Sequence, residues 1–161
     1  MISFKEYDDS KKEIFIKYLE DLQDIIIEID PLKQFVRKPE YGERYANELI
    51  DQVNKQGGLI LFAEKDNNPV GVIVGIIEEL SENDLQECVP CKVGTILQLI
   101  VNKECRGQNI GSKLMLKMEE FYKKQNCNKL YVGVLACNKE AKFFYEKHGY
   151  KDRIVELMKL I

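Results

Sequence analysis

The sequence predicts an α/β domain built on a mixed sheet. Three observations carry this. Short apolar runs alternate with longer stretches whose apolar residues recur every three and four positions, the signatures of strands and amphipathic helices. Leu59–Lys65 and Val70–Ile77 flank the turn residues Asp66-Asn67-Asn68-Pro69, which predicts an antiparallel hairpin. Ile96–Val101, a glycine-bearing loop, a helix and the run Lys129–Ala136 follow one another, which predicts a parallel strand pair joined by a right-handed crossover.

The elements follow in order. Ile2 to Tyr7 alternates apolar and polar and reads as a first, edge-like strand. Asp8, Asp9 and Ser10 supply helix-start chemistry. Ile14, Phe15, Tyr18, Leu19 and Leu22 mark an amphipathic helix continuing through Ile25, Ile26 and Ile29, and Asp30-Pro31 stops it or bends it sharply. Pro39 is expected to open a second helix at its first turn. Tyr45, Leu49, Ile50 and Val53 give that helix its apolar face, and Gly57-Gly58 ends it. Gly71 and Gly75 inside the returning hairpin strand imply a bulge or a close backbone approach. Ser81–Lys92 is a polar loop. Asn138 is a good helix N-cap, with Ala141, Phe144, Tyr145 and His148 on one face and Gly149 ending the helix. Arg153–Ile161 alternates well enough to predict a closing strand.

Composition narrows the function. The 161 residues suffice for one domain with a full core, and 45% apolar with 32% charged residues is ordinary for a globular protein. A net charge of -3 gives no basic footprint for nucleic acid. No apolar run is long enough to span a membrane, and the N-terminus lacks an apolar signal core. Five cysteines, an odd number, fit reduced thiols in a cytoplasm better than a disulfide framework. Cys88-Val89-Pro90-Cys91 has metal or redox spacing. No second such pair exists, and His148 is the sole histidine, so a surface loop with two free thiols is the expectation and no metal is expected.

The chemistry concentrates at the strand–loop–helix unit. The first N–H groups of a helix have no internal partner, and the helix dipole adds positive charge there. A loop of small residues lets an anion approach them, and a phosphate or pyrophosphate is the natural ligand. The loop reads Arg106-Gly107-Gln108-Asn109-Ile110-Gly111. It contains neither Gly-x-Gly-x-x-Gly nor the Gly-x-x-x-x-Gly-Lys-Ser/Thr loop. Alone it is also compatible with an ordinary strand-to-helix turn.

This loop resembles the Arg/Gln-x-x-Gly-x-Gly/Ala signature of the GNAT acetyltransferase family, which cradles the pyrophosphate of coenzyme A. Asn109 stands where that signature usually has glycine. Asn is the residue besides glycine that best tolerates positive φ, so the loop shape is expected to survive. A second block resembles the late motif of the same family, Asn-x-x-Ala-x-x-x-Tyr-Glu-Lys-x-Gly-Tyr/Phe. Asn138, Ala141, Tyr145, Glu146, Lys147, Gly149 and Tyr150 meet it. The two motifs stand in the family's order, and the resemblance covers residues 1–161 as a single domain.

The resemblance implies a largely antiparallel sheet with a parallel pair at its centre, flanked by helices. It implies acetyl transfer from acetyl-CoA to an amine of a small molecule or peptide. The backbone of Leu99, Ile100 and Val101 would meet the pantetheine arm. N–H groups from Arg106 through Gly107, Gln108, Asn109, Ile110 and Gly111 to Ser112 would hold the pyrophosphate. Asn138 would sit near the arm, a role compatible with capping its helix, and Tyr145 would protonate the departing thiolate, though it also reads as a core aromatic on the Ala141–Phe144–His148 face. A homodimer is compatible with the resemblance. Thr95 and Gln98 on the central strand are not basic, so no general base is assigned. Glu28, Asp30, Glu64, Glu78 and Glu79 are carboxylates near the expected acceptor walls, each equally readable as a surface charge. His148 at a helix end reads as a surface side chain. Two alternatives remain: a coenzyme A-binding sensor without turnover, and an enzyme acting on protein N-termini or lysines.

Overall fold

A computed structural model describes residues 1–161. Five strands form one sheet in sequential order: β1 (Ile2–Glu6), β2 (Leu59–Lys65), β3 (Asn68–Glu79), β4 (Lys92–Val101) and β5 (Lys129–Val132). Neighbours are antiparallel except β4 and β5, which are parallel. The mixed, largely antiparallel sheet with one parallel pair agrees with the sequence expectation, but the pair lies at the β5 edge of the five strands, not at their centre.

Side chains alternate across each strand, so the sheet builds two cores. On one face, Phe15, Tyr18 and Leu19 of α1 (Lys12–Ile29) and Ala46, Leu49 and Val53 of α2 (Tyr41–Lys55) pack on Ile60, Phe62, Val72, Val74, Ile76 and Ile100. On the other, Ile110, Leu114, Met115, Met118 and Tyr122 of α4 (Ile110–Lys124) and Tyr145 of α5 (Lys139–Lys147) pack on Leu61, Ala63, Val70, Ile73 and Ile96. Full burial of each Val, Leu, Ile, Phe or Met side chain among them stabilises the fold by about 1.5–3 kcal/mol.

The hairpin turn is tighter than the sequence suggested. Lys65 pairs with Asn68, so only Asp66 and Asn67 turn the chain, both at positive φ (52° and 64°). This is a two-residue turn whose twist matches the strands, and Asp and Asn tolerate it. Gly57, at φ 60°, follows the last turn of α2 as expected.

Three expectations are corrected. Pro39 does not open α2. Tyr41 N–H donates to Lys38 O at 3.2 Å, Glu40 is left-handed (φ 62°), and the helix begins after it. The strand expected over 129–136 ends at Val132, because Leu135 O already accepts the Asn138 N–H at 2.8 Å in the turn that starts α5. Arg153–Ile161 forms no strand, and every residue of it is exposed. Alternation says what a segment would bury, not whether a partner strand is within reach. The polar loop after β3 also contains a single-turn helix, α3 (Asp84–Glu87).

Gly75 is a close-approach position, as expected. A Cβ there would stand 2.1 Å from the Tyr122 hydroxyl oxygen and 2.9 Å from Met118 Sδ. The Tyr122 ring is fully buried, and its hydroxyl donates to Thr95 O at 2.7 Å. Gly75→Ala therefore forces either the strand or the ring to move. We expect a loss of about 2 kcal/mol, in the range of overpacked cores. A denaturant midpoint that falls with unchanged slope is the check.

The register between β3 and β4 shifts at the same place. Val74 faces Gln98 but Gly75 faces Ile96, which leaves Leu97 unopposed. A bulge lets successive side chains share a face. Leu97 packs on the α1/α2 core, and Gln98 Nε2 donates to Tyr45 Oη of α2 at 2.8 Å.

Candidate active site

β4 and β5 are paired only from Val93–Lys129 to Ile96–Val132. Beyond that point β5 has ended while β4 continues to Val101. The edge of Leu97–Val101 that faces away from β3 is therefore unpaired. Leu99, Ile100 and Val101 lie on this stretch, as expected for residues that could offer backbone groups to an extended ligand.

The chain then makes a 3-10 turn, Lys103–Cys105, and enters the loop before α4. Gly107 has φ 75° and Asn109 has φ 59° and ψ 18°. The expectation that asparagine adopts the left-handed conformation here is met. The consequence is a row of donors: the N–H groups of Gly107, Gln108, Asn109, Ile110, Gly111 and Ser112 make no backbone hydrogen bond. The next, Lys113 N–H, is the first to close the helix, onto Asn109 O at 3.1 Å. Six successive donors at the positive end of a 15-residue helix are an anion-binding arrangement. Arg106 is exposed beside them, with Nε 3.4 Å from Val101 O.

Lys65, at the end of the β2–β3 hairpin, donates to Gln108 Oε1 at 3.3 Å and brings a second cation to the loop. Sequence reasoning did not find Lys65. The two residues are 43 apart in sequence, and only the sheet register brings them together.

Tyr145 lies on the α4/α5 side of the sheet, in the same core as Ile96, against which Leu99, Val101, Val132 and Val134 also pack. Phe144 and Tyr150 pack edge-on to its ring, at 5.3 and 5.6 Å between centroids. Its hydroxyl has no hydrogen-bond partner in the chain and is not sealed from solvent. Burial pushes its pKa up to about 12, so the phenol is neutral and carries its proton at pH 7. Asn138 caps α5, with Oδ1 accepting the Ala141 N–H at 3.1 Å. Its amide N–H₂ has no acceptor in the chain, which leaves it available to a ligand.

On the opposite face a hydrogen-bond series lines α1 and α2. Gln23 Nε2 donates to Val36 O at 3.0 Å, and its Oε1 stands 3.1 Å from Tyr41 Oη. The Tyr41 and Tyr45 rings lie 5.6 Å apart, and Tyr45 receives Gln98. Burial pushes the pKa of Tyr41 up to about 12, and burial also raises that of Tyr45 against the Gln98 hydrogen bond. This wall is neutral at pH 7.

The five carboxylates separate in the structure. Asp30 is buried and accepts the N–H groups of Leu32 and Gln34 at 3.0 and 2.8 Å. Burial opposes its charge, but these donors, with those of Phe35 and the Lys33 charge, hold its pKa below the usual value. It fixes the turn after α1. Glu64 is buried beside Lys5 at 2.7 Å, on the far side of the sheet from β5. Glu28 is exposed, and Glu79 is exposed 3.9 Å from Lys92. Glu78, also exposed, reaches further along β4, where its carboxylate accepts the Thr95 hydroxyl one residue before the last β4–β5 pair. His148 Nδ1 lies 2.8 Å from Phe144 O and its ring stacks on Phe144, a helix-end role. Cys88 is exposed and Cys91 partly so, both as free thiols, and no group of three or more His, Cys, Asp or Glu side chains is placed to hold a metal ion. No helix is long and apolar enough to cross a membrane.

A row of free helix-head donors, an unpaired stretch of strand leading away from it and a proton-bearing phenol thus occur in one molecule. The model of the acetyltransferase (GNAT) family matches residues 19–150, and the chain belongs to that family. An uncharacterized N-acetyltransferase of Methanocaldococcus jannaschii is 36% identical over 92 residues, 56% of this chain and 51% of that protein. A glucosamine 6-phosphate N-acetyltransferase of Candida albicans is 34% identical over 92 residues, 56% of this chain and 58% of that protein. The match thus spans about half the length of these curated relatives. Among solved structures, a GNAT-family acetyltransferase of Staphylococcus aureus Mu50 aligns with a TM-score of 0.70 at 25% identity, covering 92% of this chain and 84% of that one. A Bacillus halodurans protein, solved as a tetramutant, aligns with a TM-score of 0.85 over 99% of both chains at 15% identity, a likeness of fold.

Proposed function

We propose that this chain is an acetyl-CoA-dependent N-acetyltransferase acting on a primary amine. The observations that support the reading are six unbonded N–H groups at the head of α4, the unpaired edge of β4 that precedes them and the unpartnered Tyr145 hydroxyl. When bound, acetyl-CoA supplies an activated thioester whose leaving group is a thiolate.

The residues divide the work. The N–H groups of Gly107 to Ser112, with Arg106 and Lys65, neutralise the pyrophosphate. The free edge of Leu99, Ile100 and Val101 extends a hydrogen-bond ladder along the pantetheine arm, and the free amide of Asn138 adds a contact. The Tyr145 hydroxyl gives its proton to the sulfur as the carbon–sulfur bond breaks. Glu78 is the carboxylate best placed to take the proton lost by the amine, with Thr95 orienting it. The neutral Tyr41–Tyr45–Gln98 wall offers polar contacts to an acceptor.

The two matches to glucosamine 6-phosphate N-acetyltransferases make that phosphorylated amino sugar the first acceptor to try. The test is release of free coenzyme A thiol from acetyl-CoA with a panel of amino sugars, polyamines, amino acids and lysine or N-terminal peptides. Turnover above the hydrolysis background with at least one amine is expected. Binding of acetyl-CoA without turnover on any of them would contradict the enzymatic reading in favour of a sensor.

A further inference from the structure

We infer, on the acetyl-transfer reading above, that Gln23 is a positioning residue for the amine acceptor. Its buried amide holds Tyr41 and the segment 31–40 in one arrangement.

A glutamine at this position needs a reason. Phe15, Leu19 and Gln23 recur every four residues on α1, so Gln23 continues the buried stripe of that helix. It is 8% exposed. A leucine would extend the apolar stripe, whereas a buried amide is costly unless its groups are bonded. Here both groups are bonded. Nε2 donates to Val36 O at 3.0 Å, and Oε1 stands 3.1 Å from Tyr41 Oη. A carbonyl can only accept, so the nitrogen faces Val36 and the oxygen faces Tyr41. Tyr41 is therefore the donor in its bond to Gln23. Its proton is engaged, and the lone pairs of its oxygen are left for an N–H or O–H group of the acceptor.

The amide also joins elements that the sequence separates. Segment 31–40 is tied to the α1 side at three points. Asp30 accepts the N–H groups of Leu32 and Gln34, Gln23 holds Val36, and Arg37 pairs with Asp24 at 2.7 and 3.1 Å. Of these anchors, Gln23 also bonds α2. From Tyr41 the series continues to the Tyr45 ring, 5.6 Å away, and Tyr45 Oη receives Gln98 Nε2 at 2.8 Å. Gln98 lies on the unpaired stretch of β4. One buried side chain thus sets where the wall proposed for the acceptor stands relative to the strand proposed to carry the pantetheine arm.

The experiment is steady-state kinetics with acetyl-CoA and the amine of the panel above that the parent turns over fastest, with acetyl-CoA affinity measured by calorimetry on the same samples. Gln23→Leu keeps the side chain near its size and removes both bonds. It should raise the KM for the amine by about 10-fold, while kcat changes less and acetyl-CoA affinity stays at the parent value. Tyr41→Phe leaves the α1 stripe intact and should give the same split. The double variant should go no further than either alone. An unchanged KM for the amine in folded Gln23→Leu overturns the proposal, since the amide would then serve stability alone. Additive effects overturn it too, because Gln23 would not act through Tyr41. So does a matching loss of acetyl-CoA affinity. If Gln23→Leu does not fold, Gln23→Met carries the same test. A parent that binds acetyl-CoA but turns over no amine contradicts the acetyl-transfer reading itself, and this positioning role with it.

Discussion

Tyr145→Phe lowers turnover by about 100-fold or more and leaves acetyl-CoA affinity nearly unchanged. The substitution removes one oxygen atom. That oxygen has no partner in the chain, so its loss opens no cavity and orphans no donor. Stability should stay within about 0.5 kcal/mol of the parent. The ring still packs against Phe144 and Tyr150, so the shape of the cleft is kept. In the proposed mechanism, what disappears is the proton for the departing thiolate. Steady-state kinetics with calorimetric affinities separate the two quantities, and equal turnover in the variant would remove the acid assignment.

The same hydroxyl sets a pH expectation. Burial raises its pKa to about 12 in the fold, above the ordinary value near 10. Raised means that the fold favours the neutral form. The associated stability is therefore complete below about pH 10 and declines as pH rises toward about 12. Loss of activity between pH 7 and 9 would not come from Tyr145. An alkaline limb at those values that vanished in Tyr145→Phe would contradict this placement.

Gly111→Asp should abolish acetyl-CoA binding without unfolding the domain. The backbone at Gly111 is helical, and an added Cβ would meet the Phe144 ring at 3.4 Å and Val101 Cγ2 at 3.7 Å, ordinary contact distances. A carboxylate in the first turn is compatible with the helix dipole, so the folded state should tolerate it. The same charge would stand among the donors expected to hold the pyrophosphate. Like charges in close proximity cost several kcal/mol, enough for a loss of about 100-fold or more in affinity. Titration calorimetry on the folded variant reads it. Unchanged affinity would mean that the phosphates do not lie at the head of α4.

Much of the architecture could be read in advance, because it follows from periodicity and turn chemistry. β2 spans Leu59–Lys65 as expected, and Asn109 adopts the conformation its side chain permits. Ile110 of α4 and Ala141, Tyr145 and Tyr150 of the later motif share one core. What could not be read depends on register. Lys65 reaches Gln108, Glu78 reaches Thr95 and Gln98 reaches Tyr45 only because β2, β3 and β4 align as they do, with one bulge at Leu97. No local pattern encodes such pairings. The C-terminal segment misled for a related reason. Its alternation is that of a strand, but its own chain brings no partner to it.

The central claim is that the cleft holds acetyl-CoA. Thermal unfolding with acetyl-CoA, free coenzyme A and ATP tests it most directly. A ligand at about 100 times its dissociation constant stabilises by roughly 2.7 kcal/mol, a rise of several degrees for a domain of this size. The account predicts that rise with acetyl-CoA, a rise with free coenzyme A and none with ATP. No shift with acetyl-CoA at millimolar concentration, or an equal shift with ATP, would contradict it.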